Sequence, residues 1–257
     1  MDRRKRDEPV PSGRDSAEAY ARYLATPDGR LRCELFWRNL HRHIGPPAAI
    51  GRVRRALDAG GGTGELATRL AQAGFDTTLL DVSSDMLRVA GEAHTSAPLR
   101  LIEGDFAKAP RGHFDLVAAH LAIEYAPEPR EAVGRVVAAV RRGGLVSIAF
   151  RSRPGAVLAR AMAGDYDEAM TTLGAFEFTA AGLCGASGSL IRAATMRRWL
   201  GELGVRVIDH RGVRVVPTDV PTDPAAYAAR LALEERLGGL PPYRAVARYI
   251  HIVARRE

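Results

Sequence analysis

Short apolar runs alternate with amphipathic stretches through residues 53–150, the pattern of strands and helices taken in turn. Residues 56–59 read as the end of a buried strand, 77–81 as a second and 99–103 as a third. Residues 114–119 form a fourth that runs into His120, and 145–150 a fifth after an Arg-Gly-Gly turn. A helix through 69–74 closes at Gly74, a residue suited to the position just past a helix end. Strictly alternating elements of this kind predict an α/β domain with a doubly wound, mostly parallel, Rossmann-like sheet.

The flanks read differently. Residues 1–16 are charged and proline-bearing, a flexible basic tail, and 17–257 form one domain. Within it, 17–45 predict a helical cap: Ser16 can cap the first helix, and Leu31, Leu35, Leu40 and Ile44 recur near helical spacing. Residues 53–150 are the core, and 151–192 a helical and loop insertion placed as a substrate lid. Residues 193–257 complete the sheet through a helix at 195–203 and strands at 205–208 and 213–216. A turn-rich link from Pro217 to Pro224 follows, then a helix at 225–237 and an antiparallel final strand at 245–255.

The junction of the first strand and helix carries the most chemistry: Asp58-Ala59-Gly60-Gly61-Gly62-Thr63-Gly64-Glu65. A glycine turn between a strand and a helix N-terminus lets a nucleotide-like ligand approach the backbone closely. The dinucleotide pattern asks for a third glycine where Glu65 stands, and a carboxylate in the first helical turn repels a pyrophosphate. S-adenosylmethionine has no phosphate and carries cationic ammonium and sulfonium groups, so Asp58 and Glu65 favour it over NAD. Asp81, about 20 residues past the turn, stands where a second strand offers a carboxylate to ribose hydroxyls. Asp105 and Phe106 offer a polar group and a ring to an adenine, and His120 closes the fourth strand.

Taken together, Asp-Ala-Gly-Gly-Gly-Thr-Gly, Leu-Leu-Asp-Val-Ser, Glu-Gly-Asp-Phe and Phe-Asp-Leu-Val resemble the class I S-adenosylmethionine-dependent methyltransferases. A narrower resemblance spans nearly the whole chain. It rests on Gly29-Arg30-Leu31-Arg32, Leu35 to Leu40, Met162 to Asp167, Gly212 to Val215 and Arg248 to Arg255. These segments are similar to the bacterial tRNA 5-carboxymethoxyuridine methyltransferases, which esterify a carboxylate on a wobble base. That resemblance implies cofactor contacts at Arg32, Gly60, Gly61, Asp81, Asp105, Phe106 and His120. Asp58, Gly62, Gly64, Val82 and Met86 join them as cofactor-binding candidates.

His120 is the catalytic candidate, either as a base for a hydroxyl or amine acceptor or as a cofactor contact. Arg214, Tyr243 and Arg248 are candidates for binding an acidic substrate, with surface or strand-edge roles as the alternative. The resemblance implies a carboxylate oxygen as acceptor, in tRNA. The apolar, base-free stretch 173–185 favours a small metabolite, and a non-catalytic S-adenosylmethionine-binding protein is the reading of another class.

Composition adjusts this only slightly. At 46% apolar, 257 residues can bury one sizeable core. The net charge of +7 is compatible with nucleic acid, but Arg3-Arg4-Lys5-Arg6 reads as a solvated tail, and no stripe of bases and aromatic residues appears. Cys33 and Cys184 cannot form a disulfide framework, and His41 and His43, with no acid beside them in sequence, read as surface histidines rather than metal ligands. No metal is expected. Nor are a membrane segment and a secretory leader, so a cytoplasmic protein, monomeric or homodimeric, is the expectation.

Overall fold

A computed structural model describes residues 14–45, 53–93, 98–174, 177–179 and 187–257. Two helices lead: α1 (Arg14–Leu24) and α2 (Pro27–His41). The Thr26 side chain accepts the Gly29 N–H at 3.2 Å and Pro27 supplies a first residue already set for helix, so α2 starts sharply. The core follows as β1 (Arg54–Ala59), α3 (Glu65–Gln72), β2 (Phe75–Asp81), α4 (Ser84–Ala93), β3 (Leu99–Glu103), β4 (Phe114–His120), α5 (Pro129–Ala139) and β5 (Val140–Arg151). Then come α6 (Arg153–Met162), α7 (Tyr166–Gly174), the two-stranded pair β6 (Glu177–Thr179) and β7 (Ser187–Ser189), and α8 (Ala193–Glu202). The chain closes through β8 (Val205–Val213), α9 (Pro224–Gly239), α10 (Pro241–Arg244) and β9 (Tyr249–Arg256).

Seven strands form one sheet in the order β3-β2-β1-β4-β5-β9-β8. The pairs among β1 to β5 are parallel, while β9 runs antiparallel to both β5 and β8. Helices on both faces bury the central strands, so most of their inner residues are apolar: Leu57, Val117, Val146, Ile148, Phe150 and Ile252 form one cluster. Strand order reverses between β1 and β4, which opens a crevice at the strands' carboxyl ends, the usual ligand position in open α/β sheets.

Several expected boundaries move. Helix α1 begins at Arg14, so Ser16 lies buried inside it rather than capping it; the remainder of the basic tail, 1–13, lies outside the described residues. Residues 141–144 belong to β5 instead of a turn. Register passes from Phe114 opposite Val140 to Leu116 opposite Leu145, and the bulge is held by Arg141 donating to Asp115 at 2.6 Å. The two strands expected at 205–208 and 213–216 are one, β8. It ends where Arg214 takes a left-handed φ of 61° and Glu234 accepts the Val215 and Val216 N–H groups at 2.6 and 3.1 Å. The last strand starts at Tyr249, because Pro241 sets a short helix before it. Within the expected lid, 151–192, the described residues form α6, α7, β6 and β7; side chains of 175–187, most of the apolar stretch, lie outside the described set.

Candidate functional site

The crevice holds a cavity of about 330 Å³, within the range of small-ligand sites. Its floor comes from the glycine loop after β1. Gly60 and Gly62 take φ values of 71° and 56°, reserved in practice for glycine. A Cβ on Gly60 would stand 2.3 Å from that of Ala122, so only glycine lets the two loops meet. Gly64, at φ 88°, does not line the cavity; it caps α3 instead.

Four carboxylates surround this floor. Asp58 is buried beneath the loop, and its Oδ2 has no hydrogen-bond partner among the described residues. Burial, with some help from Asp81 and Glu65, pushes its pKa up to about 7 despite the Ala67 N–H. Asp81 at the end of β2 accepts the Gly62 N–H at 2.8 Å on Oδ2 and the Ser83 N–H at 2.9 Å on Oδ1. Its pKa is also raised by burial, against the pull of those N–H groups. Glu65 accepts the Thr63 hydroxyl at 2.8 Å, and Asp105 accepts the Ala107 N–H at 3.0 Å. Phe106, Val82 and Met86 add apolar lining.

The far wall is basic and aromatic. The cap helices contribute Tyr20, Leu24, Arg32, Cys33 and Phe36. Arg32 is buried, donates to the Tyr20 hydroxyl at 3.1 Å and sits 5.2 Å from the Tyr23 ring centroid. On the other side, Arg151 at the end of β5 reaches the cavity beside Tyr125, with its Nε 3.7 Å from the buried Glu124 carboxylate. His120 stands between these walls. Its Nε2 lies 2.8 Å from Ser147 Oγ, whose other neighbour, at 2.8 Å, is His251 Nε2. Burial and then the Arg32 charge lower the His120 pKa to about 3, so its imidazole is neutral.

Arg32, Asp58, Gly60, Gly61, Gly62, Asp81, Val82, Met86, Asp105, Phe106 and His120 therefore meet in one cavity, while Arg214, Tyr243 and Arg248 do not reach it. Arg214 is buried and ion-paired to Asp28 at the start of α2. Tyr243 is half exposed on α10, and Arg248 lies 5.7 Å from the Tyr249 ring centroid. His43 is not a bare surface histidine, since Asp209 Oδ2 stands 3.0 Å from its Nε2; the fold supplies an acid that is distant in sequence. His41 is exposed beside Trp37. Cys33 is a free thiol in the cavity wall, and Cys184 lies outside the described residues.

Arg69, Arg151, Ser147 and His251 are the residues that sequence reasoning passes over. Ser147 and His251 do carry a signal: each is a lone polar residue inside an apolar strand run. Among the described residues, no group of three or more His, Cys, Asp or Glu is placed to hold a metal, and no helix is long and apolar enough to cross a membrane.

A carboxylate ring around a glycine loop, with one buried carboxylate oxygen that has no hydrogen-bond partner among the described residues, fits a cationic nucleoside cofactor and disfavours a pyrophosphate. Comparison with known proteins agrees. Residues 57–148 match the methyltransferase domain family. Over 94% of this chain and 95% of its own length, the Escherichia coli K12 tRNA 5-carboxymethoxyuridine methyltransferase is 29% identical. A ubiquinone biosynthesis O-methyltransferase of Methylococcus capsulatus is 28% identical over 64% of this chain and 68% of its own. Among solved structures, an S-adenosylmethionine-dependent methyltransferase from Mesorhizobium loti superposes with a TM-score of 0.63 at 21% identity, covering 90% of this chain and all of that one. Magnesium protoporphyrin IX methyltransferase from Synechocystis, with S-adenosylhomocysteine bound, gives 0.57 at 15% identity, covering 96% and 90%. Residues 57–148 thus form a methyltransferase domain, and the chain is an S-adenosylmethionine-dependent methyltransferase.

Proposed function

We propose that this enzyme methylates a carboxylate oxygen, and that the carboxylate belongs to 5-carboxymethoxyuridine in tRNA. The observation that carries the chemical part is the neutral His120 in a cavity walled by Arg32 and Arg151. An imidazole held that far below its ordinary pKa is a feeble base for stripping a hydroxyl or ammonium acceptor. A carboxylate arrives already ionised at neutral pH and needs no base. The similarity of nearly the full chain to the Escherichia coli tRNA enzyme supports the larger substrate.

In this reading Asp81 accepts from the ribose, Asp105 and Phe106 face the adenine, and Arg32 takes the cofactor carboxylate. Asp58 and Glu65 balance the cationic end. The bound cofactor supplies a methyl group already activated on a sulfonium. What remains for the protein is alignment: His120 and Arg151 orient the acceptor oxygen behind that methyl, and the apolar wall excludes water. Tyr243 and Arg248, outside the cavity, are candidates only for the body of a substrate that extends beyond it. Arg214 is assigned instead to holding α2 through Asp28.

The apolar stretch 173–185 favours a second reading, a small metabolite as acceptor. Nucleoside mass spectrometry of tRNA from a deletion strain, with metabolite profiling of the same cells, separates the two. Loss of the wobble methyl ester is expected. Unchanged wobble uridines beside a vanished methylated metabolite would favour the second reading and rule out the first.

A further inference from the structure

His120 leads back from the cavity into a line of three polar side chains, of which the methyl-transfer reading uses His120 alone. His120 Nε2, Ser147 Oγ and His251 Nε2 are linked by two contacts of 2.8 Å. Ser147 and His251 are buried in β5 and β9, at 0% and 1% exposure, and neither lines the cavity. Phe36 braces both rings, its centroid 5.1 Å from that of His120 and 5.4 Å from that of His251. Buried polar groups in a sheet core are costly unless they are satisfied, so this line of three calls for a role.

The contacts constrain protons. Ser147 is fully buried, and the partners of its hydroxyl among the described residues are the two Nε2 atoms, so its single proton goes to one imidazole and its oxygen accepts from the other. With both rings neutral, they are opposite tautomers. His251 Nδ1 is buried with no hydrogen-bond partner among the described residues. An N–H stranded there is the rarer arrangement, because orphaned buried donors are scarcer than under-used acceptors. His251 therefore carries its proton on Nε2 and donates to Ser147, Ser147 donates to His120 Nε2, and His120 keeps its proton on Nδ1. Since Nε2 is turned back to Ser147, Nδ1–H is the donor His120 offers to the cavity.

We propose that Ser147 and His251 are positioning residues for methyl transfer, holding His120 in the Nδ1–H tautomer so that a fixed hydrogen-bond donor faces the acceptor oxygen. The inference rests on the reading of His120 as an acceptor-side group, but its spectroscopic test needs no acceptor. A carboxylate oxygen in line with the methyl gains from an N–H that cannot swap for a lone pair. Without the relay the ring could rotate or change tautomer and present a lone pair that repels that oxygen.

The test combines two-bond 1H–15N correlation spectra of the histidines with transfer of labelled methyl to tRNA from the deletion strain. In the full-length wild-type chain, His120 is expected as the Nδ1–H tautomer and His251 as Nε2–H. In Ser147→Ala and His251→Leu, His120 shifts towards the Nε2–H form, and kcat falls by about ten- to a hundredfold, the scale for partners that orient a working group. S-adenosylmethionine affinity stays within about threefold, which separates positioning from misfolding. His251→Gln, which restores an N–H donor to Ser147, recovers the wild-type tautomer and most of the rate. His120 found as Nε2–H in the wild type, or unmoved by Ser147→Ala, overturns the proposal. If the wild type labels no tRNA, the tRNA reading falls, while the tautomer spectra still decide this one.

Discussion

Asp81 Oδ2 accepts the Gly62 N–H at 2.8 Å, tying the end of β2 to the glycine loop after β1. The acid proposed to accept from the ribose thus also shapes the glycine loop. Asp81→Ala removes both effects. Its S-adenosylmethionine Kd should rise by several-fold to a hundredfold, on the order of 1–3 kcal/mol for a charge-assisted bond. Asp81→Asn should lose less, because its side-chain oxygen can still accept the Gly62 N–H. Titration calorimetry on both variants checks this; equal losses would detach the loop from the effect.

Asp58 makes cofactor-free stability depend on pH. Burial lifts its folded pKa to about 7, well above the ordinary carboxylate value, so the folded chain holds a proton that the unfolded chain releases. The stabilisation is complete below the unfolded value and is lost as pH rises through 7. Between pH 5 and 8 the Tm attributable to this group should drop by roughly 5 °C or more. Asp58→Asn should flatten the drop, and saturating S-adenosylmethionine should reduce it by supplying cationic neighbours. Thermal melts at the two pH values, with and without cofactor, measure it.

Arg214 distinguishes what sequence suggests from what packing does. Its pairing with Asp28 joins the end of β8 to the first turn of α2, far along the chain. Burial alone would raise the Asp28 pKa, but Arg214 and Tyr23 more than offset it and bring it below the ordinary value. Arg214→Leu should lower unfolding stability by about 1–3 kcal/mol through the acid left behind. KM for the acceptor should be unchanged near neutral pH at a temperature where the variant is folded. Denaturant unfolding and kinetics on one preparation provide both readings.

The same contrast runs through the molecule. Strand ends 56–59, 77–81 and 114–120 were legible because parallel buried strands are apolar, and 99–103, on the exposed sheet edge, because it keeps a short apolar run; Asp81, Asp105, Phe106 and His120 came with them. Arg151 was not, since an arginine after an apolar strand looks like any strand end until the fold turns it towards Tyr125. Nor was the pairing of His43 with Asp209, 166 residues apart. Arg214 looked like a substrate base because sequence shows its charge and hides its partner.

Arg151 should act on the acceptor and not on the cofactor. Arg151→Met is expected to raise acceptor KM by about tenfold, the order of one charge-assisted contact, with S-adenosylmethionine Kd unchanged. Because Glu124 is left buried beside it, Arg151→Lys provides the folded control and should retain part of the affinity. Steady-state kinetics with each substrate varied in turn separates the two constants.

The carboxylate acceptor is tested most directly by the bond that the enzyme makes. Purified protein is incubated with S-adenosylmethionine labelled in its methyl group and with tRNA from the deletion strain, and the recovered tRNA is treated with mild base. A methyl ester is cleaved there and releases labelled methanol, whereas methyl groups on nitrogen, carbon or ether oxygen stay attached. Label is expected in the tRNA, with release as methanol. Label that survives base, or that enters only a small-molecule fraction when cell extract is supplied, would contradict that expectation.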